Sequence, residues 1–193
     1  EAVAGSLEDR GYGIDGILTP DLIRHQLFGA IPGYALFDNV RRARLGQSRA
    51  AYRHSIGELF APFSRIAAQN PYATAPKPYS AKELATVSER NRLVADPYTR
   101  LVVSRDQVNQ AAALLLTSAE KARELGIPED KWIYLHGYAH ASERTILERE
   151  DLSRSPATIQ VSETALQAAG KTMDDMQFID LYSCFASPVF NIA

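Results

Sequence analysis

The sequence predicts a mixed α/β protein, mainly helical in its first half and alternating strand with helix in its second. Three observations carry that expectation. Apolar residues recur at helical spacing from Tyr52 to Ile66. Compact apolar runs at Leu101–Val103, Ala111–Leu116, Trp132–Leu135 and Phe178–Tyr182 are spaced by helix patterns. Apolar residues also make up 46% of the 193, spread along the whole chain, which is enough to build a core.

The elements follow in order. Residues 1–36 read as irregular or lightly structured, broken by Gly11, Gly13, Gly16, Pro20, Pro32 and Gly33. Within them Thr19-Pro20-Asp21 opens a short helix through Phe28, with Thr19 as cap and Pro20 at its first position. Residues 37–46 form a short basic helix closed by Gly46. Ser48 starts the clearest helix, where Tyr52, Ile56, Leu59, Phe60, Phe63 and Ile66 line one face and Pro62 should kink or interrupt it. Pro71, Pro76 and Pro78 keep the next stretch extended, and Ser80 with Glu83 makes a capping box for a helix from Ala81 to about Arg90. Beyond it come the apolar runs. A helix from Ala119 to Leu125 is stopped by Gly126 and Pro128, another runs from Ser155-Pro156 to Ala169 and is closed by Gly170, and a last one begins near Phe185.

Charge excludes several classes. A net charge of -2 gives no general attraction to nucleic acid or anionic membrane. Arg41, Arg42 and Arg44, and Glu148, Glu150 and Asp151, are short local clusters. The single cysteine, Cys184, excludes an internal disulfide framework and any multi-cysteine zinc site. No apolar run approaches the ~20 residues needed to cross a bilayer. The N-terminus lacks both a signal-peptide core and an initiator Met. The expectation is a soluble, cytoplasmic protein whose first residue is not a natural start.

Few residues carry chemistry on their own. His136 and His140 have the spacing that puts two imidazoles on one helical face, but Gly137 stands where a zinc peptidase has Glu and no third ligand is placed, so no metal is expected. Gly11 and Gly13 lack the third Gly of a dinucleotide fingerprint, and Gly170-Lys171-Thr172 lacks the upstream Gly of a phosphate loop. Cys184 lies just past an apolar run and before a helix, a place for an activated thiol or for a small buried residue. Tyr182 is open in the same way: its phenol can donate to a developing oxyanion or fill a core.

From about residue 90 the chain resembles the thiolase superfamily, in particular its sterol-carrier-type, thiolase-like branch. The resemblance lies in Asp96-Pro97-Tyr98-Thr99-Arg100, in Val108-Asn109-Gln110-Ala111-Ala112-Ala113 and the apolar run to Ser118, and in Leu152-Ser153-Arg154-Ser155-Pro156. It continues in Ala165-Leu166-Gln167-Ala168-Ala169-Gly170 and closes with Ile179-Asp180-Leu181-Tyr182-Ser183-Cys184-Phe185-Ala186. It implies a partial thiolase-like fold. Residues 1–95 would be a mainly helical loop or cap segment, and residues 96–193 the first, truncated part of a C-terminal thiolase domain. It also implies an internal piece of an acetyl-CoA acetyltransferase-like protein, starting after the nucleophilic Cys of the family and ending at Ala193, before the Gly-His-Pro and Cys-x-Gly-Gly motifs. Such a piece should be inactive alone. It should also expose apolar edges, and so self-associate or pair with another thiolase-like chain.

By the same resemblance, acyl-CoA thioester is the substrate and no cofactor is held permanently. Tyr182 would line the acyl pocket as a catalytic residue with Cys184 beside it, and Ser104 and Arg105 would approach coenzyme A. The chain departs from the family where Tyr182 and Ser183 replace an oxyanion-hole Asn or His and its acidic neighbour, where Asn109-Gln110 replaces Asp-Gly, and where Ser153 and Ser155 replace Gly. These departures also fit a thiolase-like retro-aldolase with Tyr182 in proton transfer, or a non-catalytic acyl-CoA-binding or assembly module.

Overall fold

The computed structural model describes residues 19–105, 107–109 and 111–192. The irregular structure expected for residues 1–18, the Gln110 of the alanine-run motif, and Ala193 lie outside the described residues. The chain forms two units. One contains residues up to Ser104, Glu143–Ser155 and the stretch from Leu181 on; the other contains Arg105–Ser142 and Pro156–Asp180.

In the first unit, helix α1 (Pro20–Arg24) begins as its cap dictates, with the Leu22 amide donating to Thr19 Oγ1 at 3.2 Å. It stops short of Phe28, because the chain turns at His25 and Gln26 takes a positive φ of 57°. Helix α2 (Ala30–Arg44) starts earlier than its basic stretch suggests and runs through Pro32-Gly33. Pro32 is tolerated because it lies in the first turn, whose amides have no intrahelical partner. Gly46, at φ 64°, closes the helix: its own amide and that of Gln47 bond back to Ala43 and Arg42.

Helix α3 (Arg49–Ala67) is capped by Ser48, which accepts from the Ala51 amide at 3.2 Å. Tyr52, Ile56 and Ala61 are buried, as the spacing requires, but Phe63 and Ile66 are exposed. The helix passes through Pro62 without ending. Both Pro62 and Glu58, whose carbonyl loses its amide partner, are exposed, so water can replace the missing bond.

Helix α4 (Ala81–Ala85) shows the expected capping box between Ser80 and Glu83. It ends at Ala85 and not near Arg90, because the buried Asn91 side chain takes its last carbonyls. Asn91 Nδ2 donates to Glu83, Leu84 and Thr86, and its Oδ1 accepts from the Leu101 amide at 2.9 Å. Strands β1 (Leu93–Ala95) and β2 (Tyr98–Thr99) then pair antiparallel across a cis Asp96–Pro97 peptide. Among the described residues they form a two-stranded sheet. The apolar run at 101–103 is not a strand: Arg100–Val102 is a 3-10 turn. Tyr52, Ile56, Leu84, Tyr98, Val102, Phe185 and Ala186 meet in the core of this unit.

The second unit contains α5 (Ala119–Glu124), capped by Ser118 and released at Gly126, and α6 (Pro156–Ala169), followed by Gly170 at φ 63°. The expected strands at 111–116, 132–135 and 178–182 do not form, and these stretches carry no regular secondary structure. Leu114 is 86% exposed, Ile133 97% and Phe178 92%. An apolar run becomes a strand only when a neighbour takes its backbone groups, and none of the described segments pairs with these. Local side-chain bonds take over at Trp132, whose indole N–H donates to the Ile127 carbonyl at 3.0 Å under the Arg123 guanidinium. The loop at Gly137 lies so close to α6 that a Cβ there would stand 2.3 Å from the Ala165 carbonyl oxygen.

Candidate functional site

The segment from Leu181 leads into the short helix α7 (Ala186–Phe190) and is held by one face of α2. Tyr34 and Asp38 lie four residues apart on α2, one turn of helix, and so project from the same side.

Asp38 is completely buried. Its carboxylate accepts from Tyr52 Oη of α3 at 2.5 Å and from Tyr98 Oη of β2. Burial raises its pKa above the ordinary carboxylate range, while these donors and the Arg41 guanidinium pull the other way. The same burial, with the carboxylate close by, pushes the Tyr52 and Tyr98 phenols far up, so they remain donors. Arg41 packs over the Phe190 ring at 4.5 Å.

One turn earlier, the Tyr34 ring stacks on Phe185 at 4.5 Å with 20° between the planes. Phe185 is buried and meets the Tyr98 ring on another side at 5.2 Å. This aromatic anchor fixes the residues just before it. Tyr34 and Cys184 both pack, partly buried, against the core of this unit. Burial, then the Cys184 sulfur, raises the Tyr34 pKa. The Cys184 sulfur is the main cause of the raised Tyr182 pKa. Both phenols therefore stay protonated at neutral pH. Tyr182 is 66% exposed and forms the solvent side of the group, while Cys184 is half-buried.

Tyr182 and Cys184 are thus brought together, on the turn before α7, with no flanking strand. Ser104 also reaches them, its amide donating to the Cys184 carbonyl at 3.4 Å. Its side chain is exposed, as is Arg105, which opens the second unit. His136 and His140 are exposed residues of a non-helical loop, so their spacing does not place them on one face. Among the described residues no group of three or more His, Cys, Asp or Glu side chains gathers.

The sequence reading missed Tyr34, Asp38, Tyr52 and Tyr98. One signal was available for Asp38: once α2 is extended back to Ala30, an acid falls on the same buried face as Ala35, and a buried acid requires partners.

The chain is 53% identical to a monomeric SCP2-thiolase-like protein type 1 from Mycobacterium smegmatis, with a TM-score of 0.84 over 90% of this chain and 38% of that one. It is 30% identical over 121 residues to an acetyl-CoA acetyltransferase of Methanothermobacter thermautotrophicus, covering 62% of this chain and 30% of that one. No protein-family model matches the chain. It spans little more than a third of the structural relative and less than a third of the curated one.

Proposed function

Because this chain belongs to the thiolase superfamily, we propose that it supplies the Tyr182–Cys184 wall of an acyl-CoA thioester site in an acetyl-CoA acetyltransferase-like protein. The observation that supports this reading is the convergence of the thiol and the phenol on one turn, fixed by the buried Phe185. A thioester carbonyl gathers negative charge at its oxygen when it is attacked or enolised. A phenol kept protonated by its neighbours suits that oxygen as a donor or acid, and is unsuited to being a base at neutral pH. Tyr182 takes that part, where the family has an Asn or His. Cys184 lines the acyl pocket beside it, and Ser104 and Arg105 approach coenzyme A, with the guanidinium set to pair with a phosphate. Coenzyme A thioester is a substrate in this reading, and no resident cofactor is required.

Calorimetric titration with acetoacetyl-CoA tests it. Saturable binding is expected, weakened about three- to ten-fold in Tyr182→Phe by the loss of one hydrogen bond. No binding by the unsubstituted chain would overturn the reading. Cleavage of acetoacetyl-CoA by the chain on its own would overturn the expectation that it does not turn over alone.

The proposed setting is cytoplasmic, and no described helix is long and apolar enough to cross a membrane. The exposed Leu114, Leu116, Ile133 and Phe178 support self-association or pairing with a thiolase-like chain. The Mycobacterium smegmatis relative is described as monomeric. Light scattering decides the point, and a clean monomer would remove the self-association part of the proposal.

A further inference from the structure

We propose that Arg92 and Arg100 form a phosphate-binding site: the β1–β2 hairpin fixes them directly opposite each other on one face, with no carboxylate partner among the described residues, as a pair of forks for a doubly charged tetrahedral anion.

The backbone sets this opposition. Leu93 pairs with Thr99, and on the next rung the Arg100 amide donates to the Arg92 carbonyl at 2.9 Å. Directly opposite residues of an antiparallel pair project to the same face, with Cβ atoms about 5 Å apart. The rung is held in register from both sides. Asn91 Oδ1 accepts from the Leu101 amide at 2.9 Å, and the Thr99 hydroxyl donates to the Leu84 carbonyl at 2.7 Å. Both arginines are exposed and so open to a ligand.

Like charges facing each other across a hairpin destabilise it unless something of opposite sign joins them. The hairpin's own acid does not serve, because the Asp96 carboxylate is engaged by Arg49 at 3.4 Å and Arg53 at 3.2 Å, both from α3. Among the described residues no carboxylate lies within ion-pair distance of Arg92 or Arg100. Glu89 and Arg90, exposed in the turn before β1, offset each other in charge. A carboxylate ligand, with one charge and two oxygens, would satisfy a single guanidinium. A phosphomonoester carries nearly two negative charges at neutral pH and three acceptor oxygens, which is what two opposed forks require.

The pair also lies on the segment that leads to the candidate site. Arg100 opens the 3-10 turn ending at Val102, and Ser104, two residues further on, donates its amide to the Cys184 carbonyl. A phosphate of a coenzyme A thioester and free phosphate share the chemistry recognised here. The coenzyme as source rests on the thioester reading above, and the phosphate site itself does not.

Titration of the whole chain with inorganic phosphate at neutral pH and low salt, followed by heteronuclear NMR, tests the proposal. Saturable shifts are expected at the Arg92 and Arg100 signals. Arg92→Gln and Arg100→Gln should each weaken binding about ten-fold, the cost of losing charged hydrogen bonds. Arg92→Lys, which keeps the charge and loses the fork, should weaken it about three-fold. Arg24→Gln, which removes the same charge from α1, should leave it unchanged. No saturable shift at the hairpin, or equal weakening by Arg24→Gln, overturns the proposal. Should a Gln variant fail to fold, the unsubstituted chain and Arg92→Lys decide it, and full affinity in Arg92→Lys overturns it. Acetoacetyl-CoA binding that weakens in the same variants, and on removal of the coenzyme's ribose phosphate, identifies the coenzyme as the source. Acetoacetyl-CoA binding untouched by them identifies free phosphate. A chain that binds phosphate at these arginines and does not bind acetoacetyl-CoA would refute the thioester reading alone.

Discussion

Asp38 and Tyr98, 60 residues apart in the chain, are joined in the core by a hydrogen bond from the phenol hydroxyl to the carboxylate. With the bond from Tyr52, it ties α2, α3 and β2 to a single buried group. A carboxylate with no access to water needs every one of these donors.

Tyr98→Phe is therefore expected to destabilise the fold by about 1–3 kcal/mol, the usual cost of leaving a buried acceptor without its donor. Urea unfolding measures it. Tyr52→Phe should act similarly, and the two together should not be additive, because both serve one carboxylate. Strict additivity would show that the tyrosines do not share the acceptor.

The pH dependence of stability follows from the same group. The folded pKa of Asp38 is raised, chiefly by burial, above an unfolded value of about 3.9. Its contribution is therefore fully present below that value and is lost as pH rises through the folded pKa. Asp151 and Asp175, whose pKa values are lowered by Ser153 and Thr172, contribute in the opposite sense. They do so equally in Asp38→Asn and cancel in the comparison. The stability of the unsubstituted chain minus that of Asp38→Asn should decline as pH increases above about 4, read from urea titrations at a series of pH values. A flat or rising difference contradicts this.

Gly57→Ala should cost about 1–3 kcal/mol through overpacking. A Cβ at Gly57 would stand 2.4 Å from the Ala81 carbonyl oxygen, so α3 and the start of α4 would have to separate. Thermal denaturation measures the loss. A variant as stable as the parent would mean that α4 moves aside without cost.

The features legible in the sequence are those made by residues close together along it. Thr19, Ser48, Ser80 and Ser118 begin helices because each side chain meets the amide three residues on, and Gly46, Gly126 and Gly170 end them because each takes a positive φ. That Tyr182 and Cys184 share one turn was also within reach, since they are two residues apart. The thiolase kinship was legible for a similar reason, because ordered short segments survive as text.

Tertiary structure alone decided the rest. A strand needs a partner for its backbone, so the apolar runs at 111–116, 132–135 and 178–182 did not declare whether they would pair. The partners of Asp38 come from two other elements, and Tyr34 stacks on Phe185 from across 151 positions of chain. Caps and stops are local bonds that a short stretch completes by itself. A buried carboxylate and an aromatic stack are completed only when distant side chains arrive, and packing determines which ones do.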